Sequence, residues 1–488
     1  MDMSESVTDN KRPLCVDLDG TLIRTDLLDE QLVVLFKRNP FAALAIVFTL
    51  FGGKAAFKAA VARRAADGID VANLPYDEDV LREIRSRRDA GAPVDLVSGS
   101  DRNMVARIAD HLRLFDAVLG SGEGVNLTGH KKAAVLSERY PGGFAYIGNG
   151  RVDVPVWSAS AEPMIAQAPA GGARMGGLGN LSVVSTRRKS RLVAALQTMR
   201  IHQWVKNGLI FLPLLLTLSA TTKLDDFVAC AIGFAAFCVL SSGTYFLNDL
   251  LDVQADRRHP TKRNRAMASG ALSLRAGGAI GLSLMLAGFG LGVLVGPAFL
   301  ATLGAYTVLT ACYSLFLKRA IALDVLAIAI LFLMRAYAGA VATDQTITVW
   351  LASFLLFFFL ALAIGKRVIE LKIAAPEIGE RSTNGRAYVP KDTAVMMAAG
   401  VAFSIASIML FLIYALLEQH SFYHDSWAIV LTAGLLAYWA LRFWILVYRD
   451  RVEIDPVAFV LKDPATFATV AAISAIALIE QAPRFMGT

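Results

Sequence analysis

The distribution of apolar residues divides the chain near residue 200. Up to that point short apolar runs alternate with polar stretches; beyond it long apolar runs dominate. Roughly 20 mainly apolar residues are needed to cross the hydrocarbon core of a bilayer. Windows of that kind fall at about 203–221, 226–247, 275–295, 298–317, 321–341, 347–366, 393–417, 427–447 and 465–482, which predicts an all-α bundle of about nine transmembrane helices. Lys206 and Asn207 interrupt the first window, so its opening turn is expected in the membrane interface. In the polar half, "PLCVDLDG", "APVDLVSGS" and "GFAYIGNGRVD" read as strands alternating with helical stretches. That order implies a parallel α/β sheet with its site at the carboxyl ends of the strands. The apolar stretch "PFAALAIVFTLFGG" at 40–53 is too short to span and reads as a buried or interfacial helix.

Composition agrees with a membrane protein. Of 488 residues, 55% are hydrophobic and 18% charged, against about a quarter charged in soluble domains. The polar opening "MDMSESVTDNKRP" does not read as a secretory signal, so the first domain is expected in the cytoplasm. The loops then predicted on the cytoplasmic side contain "DRRHPTKRNR", "LKRA", "GKRVIELK" and "YRDR", while the opposite loops hold one lysine between them. This is the positive-inside asymmetry of a multi-pass plasma-membrane protein, so the net charge of +7 labels a membrane face and gives no reason to invoke nucleic acid. Cys15, Cys230, Cys238 and Cys312 lie in apolar surroundings and read as small buried hydrophobes. His420 and His424 have i, i+4 spacing, but their segment reads as a loop and not a metal site.

Chemistry is concentrated at two places. The first is Asp17-Leu18-Asp19-Gly20-Thr21, where a strand ends. Alternation puts Asp17 and Asp19 on one side, so Asp17 can attack phosphorus and hold Mg²⁺ while Asp19 gives a proton to the leaving oxygen. Ser98 ends the second strand run, Lys131 and Lys132 follow in "GHKKAAVL", and Asn149 and Asp153 end the third. This order of motifs over residues 11–160 resembles the haloacid dehalogenase phosphatase superfamily. The resemblance implies Asp17 as nucleophile, Asp19 as acid/base, Ser98 and Lys132 as phosphate binders, Asp17, Asp19, Asp153 and Asn149 as metal ligands, and a helical cap at about 27–75. Lys131 is the alternative lysine. Asn149 stands where the superfamily usually has Asp, which weakens its hold on Mg²⁺. The domain is expected over 1–158, followed by an Ala/Gly/Ser-rich tether over 159–197 that closes on a basic cluster.

The second place is "GTYFLNDLLDVQADRRHPTKRNR" at the end of the second span. On a continuous helix Asp249, Asp252 and Asp256 occupy i, i+3 and i+7 and share one face. Divalent metal and diphosphate would relieve the repulsion of three carboxylates at a membrane boundary, and His259, Lys262, Arg263 and Arg265 supply charge for phosphate oxygens. Asn248-Asp249-x-x-Asp252-x-x-x-Asp256 on a many-span domain resembles the UbiA superfamily of intramembrane prenyltransferases over 198–488. "RIHQWVKN", "CYSLFLKRAIALDV" and "IGKRVIEL" extend the likeness.

Members that prenylate aromatic rings carry a second carboxylate pair in the fourth-to-fifth loop, where this chain has Asp324 alone. The combination looks most like the branch that makes polyprenyl-phosphate phosphoribose for cell-envelope synthesis. That likeness implies a Mg²⁺-dependent transferase using soluble phosphoribosyl diphosphate as donor and decaprenyl phosphate as acceptor; the fused hydrolase domain suggests a second step, removal of the 5-phosphate from the product. Asn248, Lys206, Lys262 and Arg265 are then expected at the donor, Lys366 and Arg367 at the lipid phosphate, and Asp324 as a further substrate contact. Arg335, inside a span, is a functional candidate because intramembrane arginines are costly. Tyr313 and Lys318 have weaker claims, and Glu370 is expected to pair with Arg367. Prenyl transfer from a polyprenyl diphosphate to an aromatic acceptor is the competing reading. A transporter is disfavoured, because transporters place ionisable groups near the bilayer midplane.

Overall fold

The computed structural model describes residues 11–122, 126–169, 181–186, 190–216, 222–378, 387–417, 426–452, 459–460 and 462–486. They form two units, Met1–Arg200 with Tyr245–Ser283, and Ile201–Thr244 with Leu284–Thr488.

The first unit is built on six strands in the order β3-β2-β1-β4-β5-β6. These are β1 (Leu14–Asp17), β2 (Val94–Asp101), β3 (Ala117–Ser121), β4 (Ala145–Gly148), β5 (Glu162–Ile165) and β6 (Ser182–Val183). Every adjacent pair is parallel. All four residues of β1 are buried, as expected of a strand covered on both faces. The strands run outwards from β1 in both directions, so β1 and β4 flank the point where strand order reverses. In open α/β sheets that is where ligands bind.

Between β1 and β2 lies the expected helical insertion, opening with the helix Leu27–Arg38. The Asp26 carboxylate caps it by accepting the Leu28 N–H, and Lys37 and Arg38 oppose the dipole at its far end. The apolar stretch after it forms a helix, Pro40–Ala45, and a 3-10 run, Ile46–Gly52. Ile46 is buried with Leu35, Ala60 and Val61, whereas Phe41, Phe48 and Phe51 are exposed. The interfacial reading fits these phenylalanines.

The tether expected over 159–197 starts too early. β5 and β6 continue the sheet past residue 158, and Arg191–Met199 is helical. Arg87, almost fully buried, donates to both carboxylate oxygens of Glu162 (2.5 and 3.0 Å) and to Glu83 (2.8 Å). Trp157 Nε1 donates to Met164 O, and Ser185 Oγ to Asp77. Pairing and buried hydrogen bonds thus override the Ala/Gly-rich composition on either side of 170–180, which, like 187–189 of the basic cluster, lies outside the described residues. His420 and His424 lie outside them as well.

In the described residues, seven helices are long and apolar enough to cross a membrane: Leu224–Leu251, Leu274–Val295, Pro297–Leu315, Leu323–Ala342, Val349–Ala375, Pro390–Leu417 and Ser426–Tyr448. About nine was therefore an approximate count. The first expected span is a 3-10 run, Ile201–Phe211, and a short helix, Leu212–Leu216. The last is Pro464–Met486, whose apolar part, Pro464–Glu480, is shorter than a span.

Replacing Arg87 by Met would leave Glu162 and Glu83 without this partner at a mostly buried site. The expected cost is about 3 kcal/mol, read as a lower thermal midpoint of the full-length protein in detergent. An unmoved midpoint would mean that residues past 158 are not part of the folded domain.

Candidate functional sites

At the carboxyl ends of β1, β2 and β4 the structure gathers the residues that the first motif set nominated. Lys132 Nζ, on the helix His130–Arg139, donates to Asp17 Oδ1 (2.6 Å) and to Tyr146 Oη (3.1 Å). Lys131, the alternative, is exposed, whereas Lys132 is buried against Asp17. Thr21 Oγ1 donates to Asp17 Oδ2 (3.1 Å). Asp19 Oδ1 accepts the Leu27 N–H (2.8 Å), and its Oδ2 accepts from Ser98 Oγ (3.0 Å) and Ser100 Oγ (2.6 Å). Asp153 accepts the backbone N–H groups of Asn149 and Gly150 and the Tyr146 hydroxyl. Asn149 lies across Gly20, where an added Cβ would come within 1.9 Å of its Nδ2.

Burial dominates the electrostatics here. It raises the Asp17 pKa, against the pull of the Lys132 ammonium, and the Asp153 and Asp19 charges raise it further. Asp19 is raised by burial and by the Asp26 charge. A carboxyl that keeps its proton more readily is suited to proton donation. Ser100 and Tyr146 were not foreseen. Ser100 carried a usable signal, since alternation puts it on the same side of β2 as Ser98.

The acidic motif of the first unit differs from the expected continuous helix. Leu224–Leu251 ends before Asp252, and a separate helix, Val253–Arg258, carries Asp256. Arg265 Nη1 donates to both Asp249 Oδ1 (3.1 Å) and Asp256 Oδ2 (2.7 Å). Asp252 faces Lys37 Nζ at 3.4 Å. Two of the three carboxylates therefore share a cation and the third turns to another, because like charges separate when each can find its own partner. Arg200, the first residue of "RIHQWVKN", was overlooked; it donates to Asp249 Oδ1 (2.6 Å) and lies over the Tyr245 ring. Asp256 is raised by burial, with Arg265 opposing. Asn248 is half-buried and Lys262 exposed.

In the second unit, Asp324 is fully buried and accepts from Arg367 Nε (2.5 Å) and Tyr388 Oη (2.6 Å). Arg367 also donates to Glu370 and to Tyr313, so the Glu370 pairing is as expected. With 1% exposure, Arg367 is a strut and not the open lipid-phosphate contact expected of it. Arg335 is likewise enclosed: it donates to Asn207 Oδ1, Leu331 O and Tyr306 Oη. Saturated by these partners, it anchors the 3-10 run. Lys206 lies on that run, and Lys366 lies one residue before Arg367 within Val349–Ala375.

No group of three or more metal-ligating side chains is preassembled among the described residues. The donor chemistry nonetheless fits magnesium at both places. Asp17 and Asp153, and separately Asp249 and Asp256, are buried carboxylates close enough to repel, and oxygen donors are what that ion prefers.

Comparison with known proteins adds the following. The model of the UbiA prenyltransferase family matches residues 209–470, and that of haloacid dehalogenase-like hydrolases matches residues 14–158. A protein of Sinorhizobium fredii, called uncharacterized protein y4nM, is 35% identical over 467 residues, covering 94% of this chain and 89% of its own length. Decaprenyl-phosphate phosphoribosyltransferase of Corynebacterium glutamicum is 34% identical over 179 residues, covering 36% of this chain and 54% of its own. Among solved structures, a UbiA homolog from Archaeoglobus fulgidus bound to GPP and Mg²⁺ aligns with a TM-score of 0.46 and 14% identity, over 58% of this chain and 99% of that one.

The two lysines give a direct test with p-nitrophenyl phosphate. Lys132→Ala is expected to lower its hydrolysis roughly 100-fold, because the cation facing Asp17 is lost. Lys131→Ala should stay within about twofold, as exposed substitutions do. Equal effects would refute the assignment of Lys132.

Proposed function

This chain belongs to the UbiA prenyltransferase family, and from that premise we propose that it moves a phosphoribosyl group from 5-phosphoribosyl diphosphate to a polyprenyl phosphate. Its hydrolase domain then removes the 5-phosphate from the new lipid. The observation that carries the donor choice is Asp324, neutralised by Arg367 and Tyr388 in a fully buried pair. A carboxylate so engaged is poorly disposed to hold a second metal, as aromatic prenylation would ask. The partial similarity to decaprenyl-phosphate phosphoribosyltransferase supports the same choice.

In the transfer step the bond from ribose C1 to diphosphate breaks, and an oxygen of the lipid phosphate forms the new bond to C1. Asp249, Asp252 and Asp256 would hold magnesium, which when bound draws charge onto the departing diphosphate. Arg265 and Arg200, already beside Asp249, turn to the donor's phosphates, with Lys262, Lys206 and Asn248 as further contacts. Lys366 meets the lipid phosphate. Arg335 and Arg367 are positioning residues.

In the hydrolytic step Asp17 attacks the 5-phosphate phosphorus, and the ribose oxygen leaves with a proton from Asp19. Water then attacks the phosphorus and gives a proton back to Asp19, the bond from Asp17 to phosphorus breaks to restore the carboxylate, and inorganic phosphate departs. Ser98 and Lys132 bind the phosphoryl oxygens, and Asp17, Asp153 and Asn149 would hold magnesium. The charge asymmetry of the loops supports a cytoplasmic side for both sites.

Incubation with Mg²⁺, polyprenyl phosphate and labelled phosphoribosyl diphosphate should give lipid-extractable label, whereas polyprenyl diphosphate with an aromatic acid should not. Asp249→Ala is expected to cut that label roughly 100-fold, and full activity of this variant would sink the site. With ³²P at the ribose 5-position, wild type should release the label as phosphate and Asp17→Asn should retain it. Retention by both would remove the hydrolytic step.

A further inference from the structure

A cavity of about 540 Å³ opens beside Asp19, and its walls come from two stretches of sequence far apart. One wall is the hydrolase domain, with Asp19, Arg24, Asn149 and Arg191. The other is the segment 264–273, which belongs to the transferase sequence just beyond the acidic motif and contributes Asn264, Ser269, Gly270, Ala271 and Ser273. Both lie in the first unit.

The segment is fastened in place. Arg257 donates to both oxygens of the fully buried Glu30 (2.6 and 3.0 Å), and its Nε donates to Ala268 O (3.0 Å), one residue before Ser269. Arg275 closes the other end on Asp26 (3.0 Å) and Asp29. Between these clamps Gly270, at φ +75°, lies against the backbone of Arg24, where a Cβ would come 2.3 Å from its carbonyl oxygen. Only glycine combines that backbone conformation with that approach.

The two walls differ in chemistry. The transferase-derived wall offers an amide and hydroxyls with no charge, while the hydrolase wall adds two arginines beside the Asp19 and Asp26 carboxyls, Asp26 being already paired with Arg275. Neutral hydrogen-bonding groups suit sugar hydroxyls, and guanidinium groups suit phosphate. The volume is that of a small-molecule pocket, so a polyprenyl tail would remain outside it.

We propose that residues 264–273 form the specificity wall of the hydrolase pocket, and that the pocket takes a phosphorylated pentose carried on a lipid. This rests on the hydrolytic reading above for its substrate class. The transferase sequence thereby selects what the hydrolase domain dephosphorylates, and neither sequence region makes the pocket alone.

The test uses full-length protein in detergent with Mg²⁺, in a Cys312→Ala background that removes the half-buried native thiol. Asn264→Cys, at an exposed position on the wall, is labelled with a maleimide with and without millimolar ribose 5-phosphate. Labelling should slow at least about threefold, as for a mostly occupied site, while exposed Ser158→Cys should label equally under both conditions. Equal rates at Asn264→Cys would overturn the proposal, and this readout does not depend on turnover. The ³²P assay separates the two ideas. Protection with the lipid 5-phosphate left intact keeps the wall and removes the hydrolytic reading, whereas phosphate release without protection keeps the reading and removes the wall.

Discussion

Buried negative charge has to be balanced, and among the described residues several buried carboxylates are balanced by a cation from elsewhere in the sequence. Asp17 has Lys132, Glu30 has Arg257, Asp249 and Asp256 share Arg265, and Asp324 has Arg367. Removing a carboxylate from water costs several kcal/mol unless a partner and further hydrogen bonds compensate. These pairs therefore help to fix where elements meet, since a cation left without its carboxylate would itself be poorly compensated.

The same constraint separates struts from reactive groups. Each guanidinium nitrogen of Arg335 and of Arg367 donates to a neighbour within the second unit, so they hold helices together. Arg265 is different: it is half-buried and bridges two carboxylates that belong to the family's acidic motif. A cation in that position can change partner when a more strongly charged ligand arrives, because the carboxylates it leaves are the groups a metal would take.

Adjacent residues divide the work on the short helix Val253–Arg258. Asp256 turns to Arg265 and Arg257 to Glu30 in the hydrolase domain, so one turn of helix serves the transferase motif and fixes a wall of the hydrolase cavity. Fusing the two domains in one chain supplies more than proximity. If both steps run in sequence on one lipid, the product of the first meets a pocket partly built from the enzyme that made it.

The order of apolar runs, the strand-end motifs and the acidic spacing determined much of this protein without any coordinates. Period and length alone separate a parallel α/β domain from membrane-spanning helices, and Asp17, Asp19, Ser98, Lys132, Asn149 and Asp153 do converge at adjacent strand ends. What the linear pattern left undecided were the contacts between distant segments. Glu30 with Arg257, Arg87 with Glu162, and Asp324 with Tyr388 join residues with no periodic relation, so no local rule could pair them. The early end assigned to the hydrolase domain has the same cause, since β5 and β6 are short and lie beside a glycine-rich stretch, and sheet pairing makes them strands. The helix break at Asp252 likewise arises where side chains choose separate partners, a decision that charge balance makes in three dimensions.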